Sequence, residues 1–142
     1  MSLMTPNQTH RGTESLYPDT TLAVYNGVVQ TGSDDHHITP ATGAIAPRGI
    51  VMHDVISAQD VTSVTKKEVA LFGLYKDTLQ AVASAAIPVN AQVVADPANP
   101  GQVIALPATA GTYYIIGRSR FTVASAGDPV SLIHQVPQKV TQ

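Results

Sequence analysis

Every second residue from Val130 to Val136 shares one face of the chain, and that face is mostly apolar. A period of two is typical of a half-buried β-strand. A second apolar-rich run, residues 113–123, precedes it, and the residues at 125–128 between the two runs are turn formers. Gly127 can adopt a positive φ without steric cost, and Asp128 can hydrogen-bond to its local backbone. The pattern therefore predicts a β-hairpin that joins the two runs.

Five more apolar-rich runs predict short strands in the middle of the chain. They cover residues 50–56, 67–75, 79–83, 88–95 and 103–106. Proline and glycine residues separate them, and short strands with such breaks are typical of a small β-barrel or a β-sandwich of hairpins. We therefore expect an all-β fold.

Residues 67–75 are the most ambiguous of these runs. Their apolar positions also fit one face of a helix, but Gly73 and the short length of the run favour a strand. A helix somewhere within residues 57–75 is the alternative. Lys76-Asp77 separates this run from the next one, which predicts another hairpin.

The first part of the chain has a different character. Residues 1–20 are polar and lack apolar periodicity, which predicts an extended arm that orders against a partner. Asn26-Gly27 is a strong signal for a type I′ turn and predicts a short hairpin near residues 21–30. The Gly- and Pro-rich residues that follow predict a functional loop or a peripheral arm. We therefore expect an extended arm region over residues 1–49 and a β-barrel-like domain over residues 50–142.

Composition adds a second kind of information. The 142 residues suit one domain, and they are 44% hydrophobic but only 13% charged. An average globular protein has about 25% charged residues. A surface with so few charges favours extensive assembly contacts, although a β-domain that is simply rich in Thr, Ala and Val would have the same composition.

Charge and cysteine content exclude several classes of function. The net charge is −2 and the pI about 6.1, whereas nucleic-acid-binding domains usually cluster Lys and Arg. There is no cysteine, and so no disulfide framework, thiolate nucleophile or zinc ribbon. The start of the sequence lacks the pattern of a signal peptide, and no apolar run is long enough for a membrane helix. We expect a soluble protein that binds neither nucleic acid nor membranes.

Two short clusters could carry chemistry. Asp34-Asp35-His36-His37 contains metal-ligand residue types, but neighbouring side chains diverge, so a solvated or contact loop is favoured over a metal site. His53-Asp54 could be half of an acid–base pair, but no activated nucleophile accompanies it. We expect no catalytic residues, no metal and no cofactor.

Three basic residues could contact a partner. Arg118 and Arg120 lie two residues apart, which places them on one face of a strand that Tyr114 and Ile116 continue. This face is either a docking patch for acidic groups of a partner protein or the solvated rim of a sheet. His134 lies beside Val and Leu and is more typical of a core or interface residue than of a ligand. A neutral histidine buried in an interface would gain charge near about pH 6 and weaken assembly in acid.

Residues 50–140 resemble the head decoration (cement) proteins of tailed bacteriophages. The resemblance is carried by Gly117-Arg118, the Ala-rich residues 124–126, the Gly127-Asp128 turn, the alternation from Val130 to Pro137, and the upstream segment Ala86–Val94.

The resemblance implies a small β-barrel-like protein that adds to the outside of an assembled capsid as a trimer or dimer and clamps neighbouring capsid subunits. We hypothesise a non-enzymatic virion protein, made in the host cytoplasm, whose partners are the major capsid protein and further copies of itself. The candidate partner contacts are Arg11, Tyr17, Arg118, Arg120 and His134.

Two other functions remain open. One is another phage structural component, such as a tail-tube, head–tail connector or fibre domain. The other is a carbohydrate-binding β-module, which is disfavoured because the chain has no Trp and only 5% aromatic residues.

Overall fold

The computed structural model describes residues 12–142, which form ten β-strands and one short helix. The strands are β1 (Thr13–Pro18), β2 (Val28–Thr31), β3 (His37–Pro40), β4 (Gly49–Val51), β5 (Lys67–Leu71), β6 (Leu79–Val82), β7 (Gln92–Ala95), β8 (Val103–Ala105), β9 (Thr112–Ser119) and β10 (Pro129–Thr141). The helix is α1 (Ala58–Thr62), between β4 and β5. The all-β prediction is confirmed.

The first five strands form a closed barrel in the order β1-β3-β2-β4-β5, and β1 pairs with β5 to close it. All neighbours are antiparallel except β1 and β3, which are parallel. One apolar cluster fills this barrel: Leu16, Leu22, Val29, Ile38, Val51, Ile56 and Val69. Each of these residues is at most 2% exposed, so the barrel has an apolar interior that is closed to solvent.

The last five strands form a second sheet in the order β6-β10-β9-β7-β8. Its inner face packs on the barrel, because one buried cluster combines Val28 and Ile50 of the barrel with Val93, Ile116 and Leu132 of the sheet. The predicted hairpin is confirmed, since β9 and β10 are antiparallel neighbours. The two regions therefore share a core.

The structure differs from the extended arm predicted over residues 1–49. Strands β1, β2 and β3 lie in this part of the chain and form barrel wall, and the boundary at residue 50 falls inside β4. The physical reason is that β1 pairs with a distant segment, as when Thr13 pairs with Ala70, and that β2 pairs with both β3 and β4. Residues 1–11 lie outside the described residues, so the arm prediction is untested there.

Two predicted hairpins are wrong. Asn26 does form a turn with a positive φ of 54°, but Leu22 pairs with Ile56 instead of with β2. Asn26 is held by the barrel, since its side-chain oxygen accepts a hydrogen bond from the backbone N–H of His53 at 2.7 Å. Strand β5 pairs with β1 and β4, so it forms no hairpin with β6.

The helix is short and lies within the segment where a helix was the alternative. Its capping box is complete: the Asp60 N–H donates to the Ser57 hydroxyl at 3.1 Å, and the Ser57 N–H donates to the Asp60 carboxylate at 2.9 Å. No helix in residues 12–142 has the length and apolar character needed to cross a membrane.

Irregular pairing interrupts both long strands. In β9, Ile116 is an extra residue between the pairs Val93–Gly117 and Val94–Ile115, and this bulge turns the Ile116 side chain into the core. In β10, the strand advances from residue 134 to 138 while β9 advances only from 117 to 115. This second bulge contains Pro137, which cannot donate a hydrogen bond to a neighbouring strand. The predicted alternation thus ends at the bulge, and Val136 is 67% exposed.

Candidate docking surface on the second sheet

Arg118 and Arg120 lie at the end of β9 and are both exposed, whereas Ser119 between them is only 2% exposed. The Arg120 N–H donates to the Ser131 carbonyl at 2.8 Å, which extends the pairing with β10 beyond the end of β9. The two guanidinium groups therefore project from one face of the sheet. The predicted continuation of that face through Ile116 is wrong, because the bulge buries Ile116 completely.

Ser119 fixes the loop that lies beside Arg118. Its hydroxyl donates to the Pro88 carbonyl at 2.5 Å and accepts from the Ala91 N–H at 3.1 Å. The Asn90 N–H donates to the Ser119 carbonyl at 2.8 Å. The Asn90 carbonyl then accepts a hydrogen bond from Arg118 Nη1 at 3.1 Å. One guanidinium donor is used to orient the side chain, and the others remain for a ligand.

Phe121 gives this face an apolar component. Its ring is 62% exposed, and the Arg120 guanidinium carbon lies 5.1 Å from the ring centroid. The two side chains border an open groove of about 420 Å³ whose other lining residues are Thr78, Gln80, Thr122, Val123, Pro129 and Ser131. None of these residues is acidic, so the groove offers a cation, an aromatic ring, hydroxyls and an amide.

Neither arginine forms an ion pair with an acidic side chain within residues 12–142. The ion pairs of this part of the chain all belong to the barrel region: His37–Asp34, Arg48–Glu14, Lys67–Asp54 and Lys67–Asp60. The two acidic residues of the second sheet are already engaged. Asp96 is buried and accepts from Ser84, Ala98 and Asn99, and Asp128 accepts from the Ser125 hydroxyl. Within residues 12–142, no carboxylate neutralises the guanidinium groups of this face.

Hydrogen bonding, not solvent, sets the charge state of Asp96. Burial by itself would raise its pKa, but the donors from Ser84, Asn99 and Ala98 outweigh burial and lower the pKa below the usual value. Asp96 therefore keeps its negative charge inside the turn between β7 and β8.

His134 lies at the seam between the barrel and the second sheet. Its Nδ1 accepts from the Gly73 N–H at 2.9 Å, so its Nε2 carries the proton and donates to the Asp77 carbonyl at 2.8 Å. The rings of Phe72 and Tyr75 lie 6.3 and 6.4 Å from the imidazole. Both ring nitrogens of His134 therefore have hydrogen-bond partners within its own chain, as expected for a core or interface histidine.

Tyr17 and Arg11 do not join the arginines. Tyr17 lies in β1, where its ring packs 5.5 Å from the ring of His37 and Lys66 Nζ lies 5.2 Å above it. Tyr17 is thus part of the barrel wall and not of an extended arm. Arg11 lies outside the described residues. Of the five predicted partner contacts, the structure brings only Arg118 and Arg120 together.

The residue clusters considered for chemistry take up structural positions. Asp34 binds the Nδ1 of His37 at 2.6 Å and accepts from the His36 N–H at 2.8 Å, so it closes its own loop. No three His, Asp or Glu side chains within residues 12–142 converge in a way that could hold a metal ion. Asp54 is bound to Lys67 Nζ at 2.7 Å, not to His53.

Sequence reasoning missed Phe121 and Ser119. Phe121 directly follows Arg120 at the end of an apolar run, where the pattern predicts that an aromatic residue is buried in the core. The signal that it is exposed is its position beyond the last paired residue of β9, and strand ends are the least certain part of a sequence-based reading.

Comparison with known proteins identifies a related architecture. No protein-family model matches the chain, and no curated protein sequence matches it. Among solved structures, the chain is similar to the crystal structure of the head fiber gp8.5 N base in bacteriophage phi29, with a TM-score of 0.61. The match covers 89% of this chain and 95% of that chain at 16% sequence identity. The two chains share one fold over almost their whole lengths.

Proposed function

We propose that this chain is a structural protein of a phage virion that binds the outer surface of the assembled capsid. The observation that carries the proposal is the fold it shares with a phage head fiber base, because the match extends over nearly all of both chains. A fold alone does not fix function, but here it agrees with the independent resemblance of residues 50–140 to head decoration proteins.

The surface of the chain supports an assembly role. Few residues are charged, and several large apolar side chains are exposed, among them Leu74, Phe121, Ile133 and Val136. In the finer form of the proposal, the chain contacts the major capsid protein, forms a trimer or dimer, and clamps neighbouring capsid subunits from outside. Several weak contacts around a symmetry axis would then add up to stable attachment.

The test is to mix the purified chain with empty shells of the phage that encodes it and to sediment the shells. We expect the chain to co-sediment at a saturating, symmetry-related ratio and to raise the temperature at which the shells disassemble. Shells of an unrelated phage serve as the control. A chain that stays in the supernatant with its own shells would refute capsid binding.

A second candidate is a base that joins a fibre to the head, and the fold shared with the phi29 head fiber base favours it. Electron microscopy of virions labelled through this chain separates the two. Density that covers the shell without projections supports the decoration protein, projecting fibres support the base, and label on the tail excludes both.

A further inference from the structure

We infer that the face formed by Arg118, Arg120 and Phe121, here called the arginine face, binds a carboxylate-bearing segment of a protein partner. The identification of this partner with the capsid rests on the proposed function. The chemistry of the segment does not, because it follows from the charges and contacts of the face itself.

Charge distribution is the first argument. Residues 13–71 contain seven acidic and three basic residues, whereas residues 79–142 contain two acidic and three basic residues. Both acidic residues of the second region accept hydrogen bonds from their own turns. The second sheet is therefore the cationic side of a chain that is acidic overall, and Arg118 and Arg120 are its neighbouring exposed cations.

Preorganisation is the second argument. Arg118 is anchored through Asn90, whose loop is tied to β9 by buried Ser119. The Arg120 guanidinium lies over the Phe121 ring, 5.1 Å from its centroid. Arginine side chains lose much conformational entropy when they bind, and side chains already held in place lose less. A guanidinium also presents parallel N–H donors that match the two oxygens of a carboxylate.

The exposed ring of Phe121 indicates what else the partner segment should contain besides a carboxylate. Aromatic residues and Arg are both enriched in protein–protein interfaces. The adjoining groove is lined by hydroxyl and amide groups and could accept backbone polar groups. We therefore expect the segment to carry an Asp or Glu next to an apolar side chain that covers Phe121.

A nucleic acid or a second copy would bind this face differently. A nucleic acid needs a track of cations along its backbone, whereas the second region has three basic residues and the barrel region is acidic. A second copy could place its acidic barrel on the arginine face, which would make the chain associate with itself. Both alternatives are outcomes of the test below.

The experiment uses the full chain and the double variant R118E/R120E. The matched control is K76E/K139E, which makes the same change in net charge at exposed positions outside the groove. All four side chains are exposed, so both variants should fold, which is checked by an amide NMR spectrum with wild-type dispersion.

The first measurement is an NMR titration with a blocked peptide that carries two glutamates beside a leucine. We expect saturable shifts at the amides of residues 118–122, at least tenfold weaker binding by R118E/R120E, and wild-type binding by K76E/K139E. A glutamine version of the peptide should not bind. The inference is overturned if the glutamate peptide gives no saturable shift, or if a single-stranded DNA oligonucleotide shifts the same amides at lower concentration.

The second measurement is co-sedimentation with shells, which separates the two proposals. Loss of shell binding by R118E/R120E, with retention by K76E/K139E, supports the inference. Equal binding by both variants overturns it and leaves the proposed function standing. If the wild-type chain binds the peptide but does not bind the shells, the proposed function is refuted and the inference stands. Light scattering tests for self-association. If the wild type and K76E/K139E self-associate but R118E/R120E does not, the arginine face binds a second copy of the chain, and the assignment to another protein is overturned.

Discussion

In the barrel, Arg48 and Lys67 form ion pairs with carboxylates of the same chain, whereas Arg118 and Arg120 of the second sheet form none with residues 12–142. The strands of the barrel are three to six residues long, and so each contributes few backbone hydrogen bonds. Lys67 connects separate elements of the barrel region through its contacts with Asp54 and Asp60. The second sheet contains the two longest described strands, β9 and β10, and its arginines are exposed. The difference indicates that charges in the barrel stabilise the fold, and it supports the proposal that the arginines of the sheet serve recognition.

Lys67 shows how the barrel uses a charge. Its side chain is 9% exposed and its Nζ binds both Asp54, after β4, and Asp60 of α1. Burial disfavours the charged amine, but the hydrogen bonds and charges of the two aspartates outweigh burial and raise the pKa of Lys67 above its usual value. The lysine thereby holds α1 against the barrel wall.

Replacing Lys67 tests the structural half of the comparison and should have the largest effect. Lys67→Met keeps the apolar stem but leaves both aspartates without their cation. We expect the free energy of unfolding to fall by about 1–2 kcal/mol, less than for a fully buried pair because Asp54 is partly exposed. Urea denaturation measures it. For Lys139→Met on the second sheet, the free energy of unfolding should stay within about 0.5 kcal/mol of the wild-type value. An equal loss of stability in both variants would contradict the comparison.

Acid should weaken the same contacts. The hydrogen bond from Lys67 lowers the pKa of Asp54, and the backbone N–H of Ser57 together with Lys67 lowers the pKa of Asp60. As the pH falls, these aspartates therefore take up protons in the unfolded chain before they do so in the folded chain. The stability that they contribute is present above their usual pKa of 3.8 and is lost as the pH falls through their pKa in the folded state. We expect wild type to lose more stability than Lys67→Met between neutral pH and about pH 3. Parallel losses in the two proteins would show that Lys67 does not set these pKa values.

The smallest effect is expected at the exposed loop of the barrel. The hydrogen bond to Asp34 raises the pKa of His37, so the stability from this pair is present below the usual histidine value of 6.5 and is lost as the pH rises through the folded pKa. Asp34→Asn should lower the His37 pKa, followed by NMR titration of the imidazole, with little change in global stability. Asp35→Asn is the matched control. A His37 pKa that responds equally to both variants would mean that general charge, not the hydrogen bond, raises it.

Local patterns predicted the second sheet well and the barrel poorly. The hairpin of β9 and β10 could be predicted because its strands are adjacent in sequence and Gly127, with a φ of 88°, makes the turn between them. The barrel depends on pairings such as Thr13 with Ala70 and Leu22 with Ile56, which no local pattern reveals. Its strands are also too short to show a clear period of two. A turn signal such as Asn26-Gly27 then suggests a hairpin where the chain in fact pairs elsewhere.

The candidate site shows the same division. The spacing of Arg118 and Arg120 correctly placed both on one exposed face, because alternation holds over so short a distance. The burial of Ile116 could not be predicted, since the bulge depends on how β9 pairs with β7. The contact between Arg118 and Asn90 could not be predicted either, because those residues are joined only through the pairing of distant strands.

Ser119 has one further consequence. It points inward to secure the neighbouring loop, while the residues on either side of it point outward, so structural support and the proposed recognition fall on alternate positions of the chain. Related chains could exchange the outward residues for others, and so change the protein to which they attach, without altering the framework that presents them.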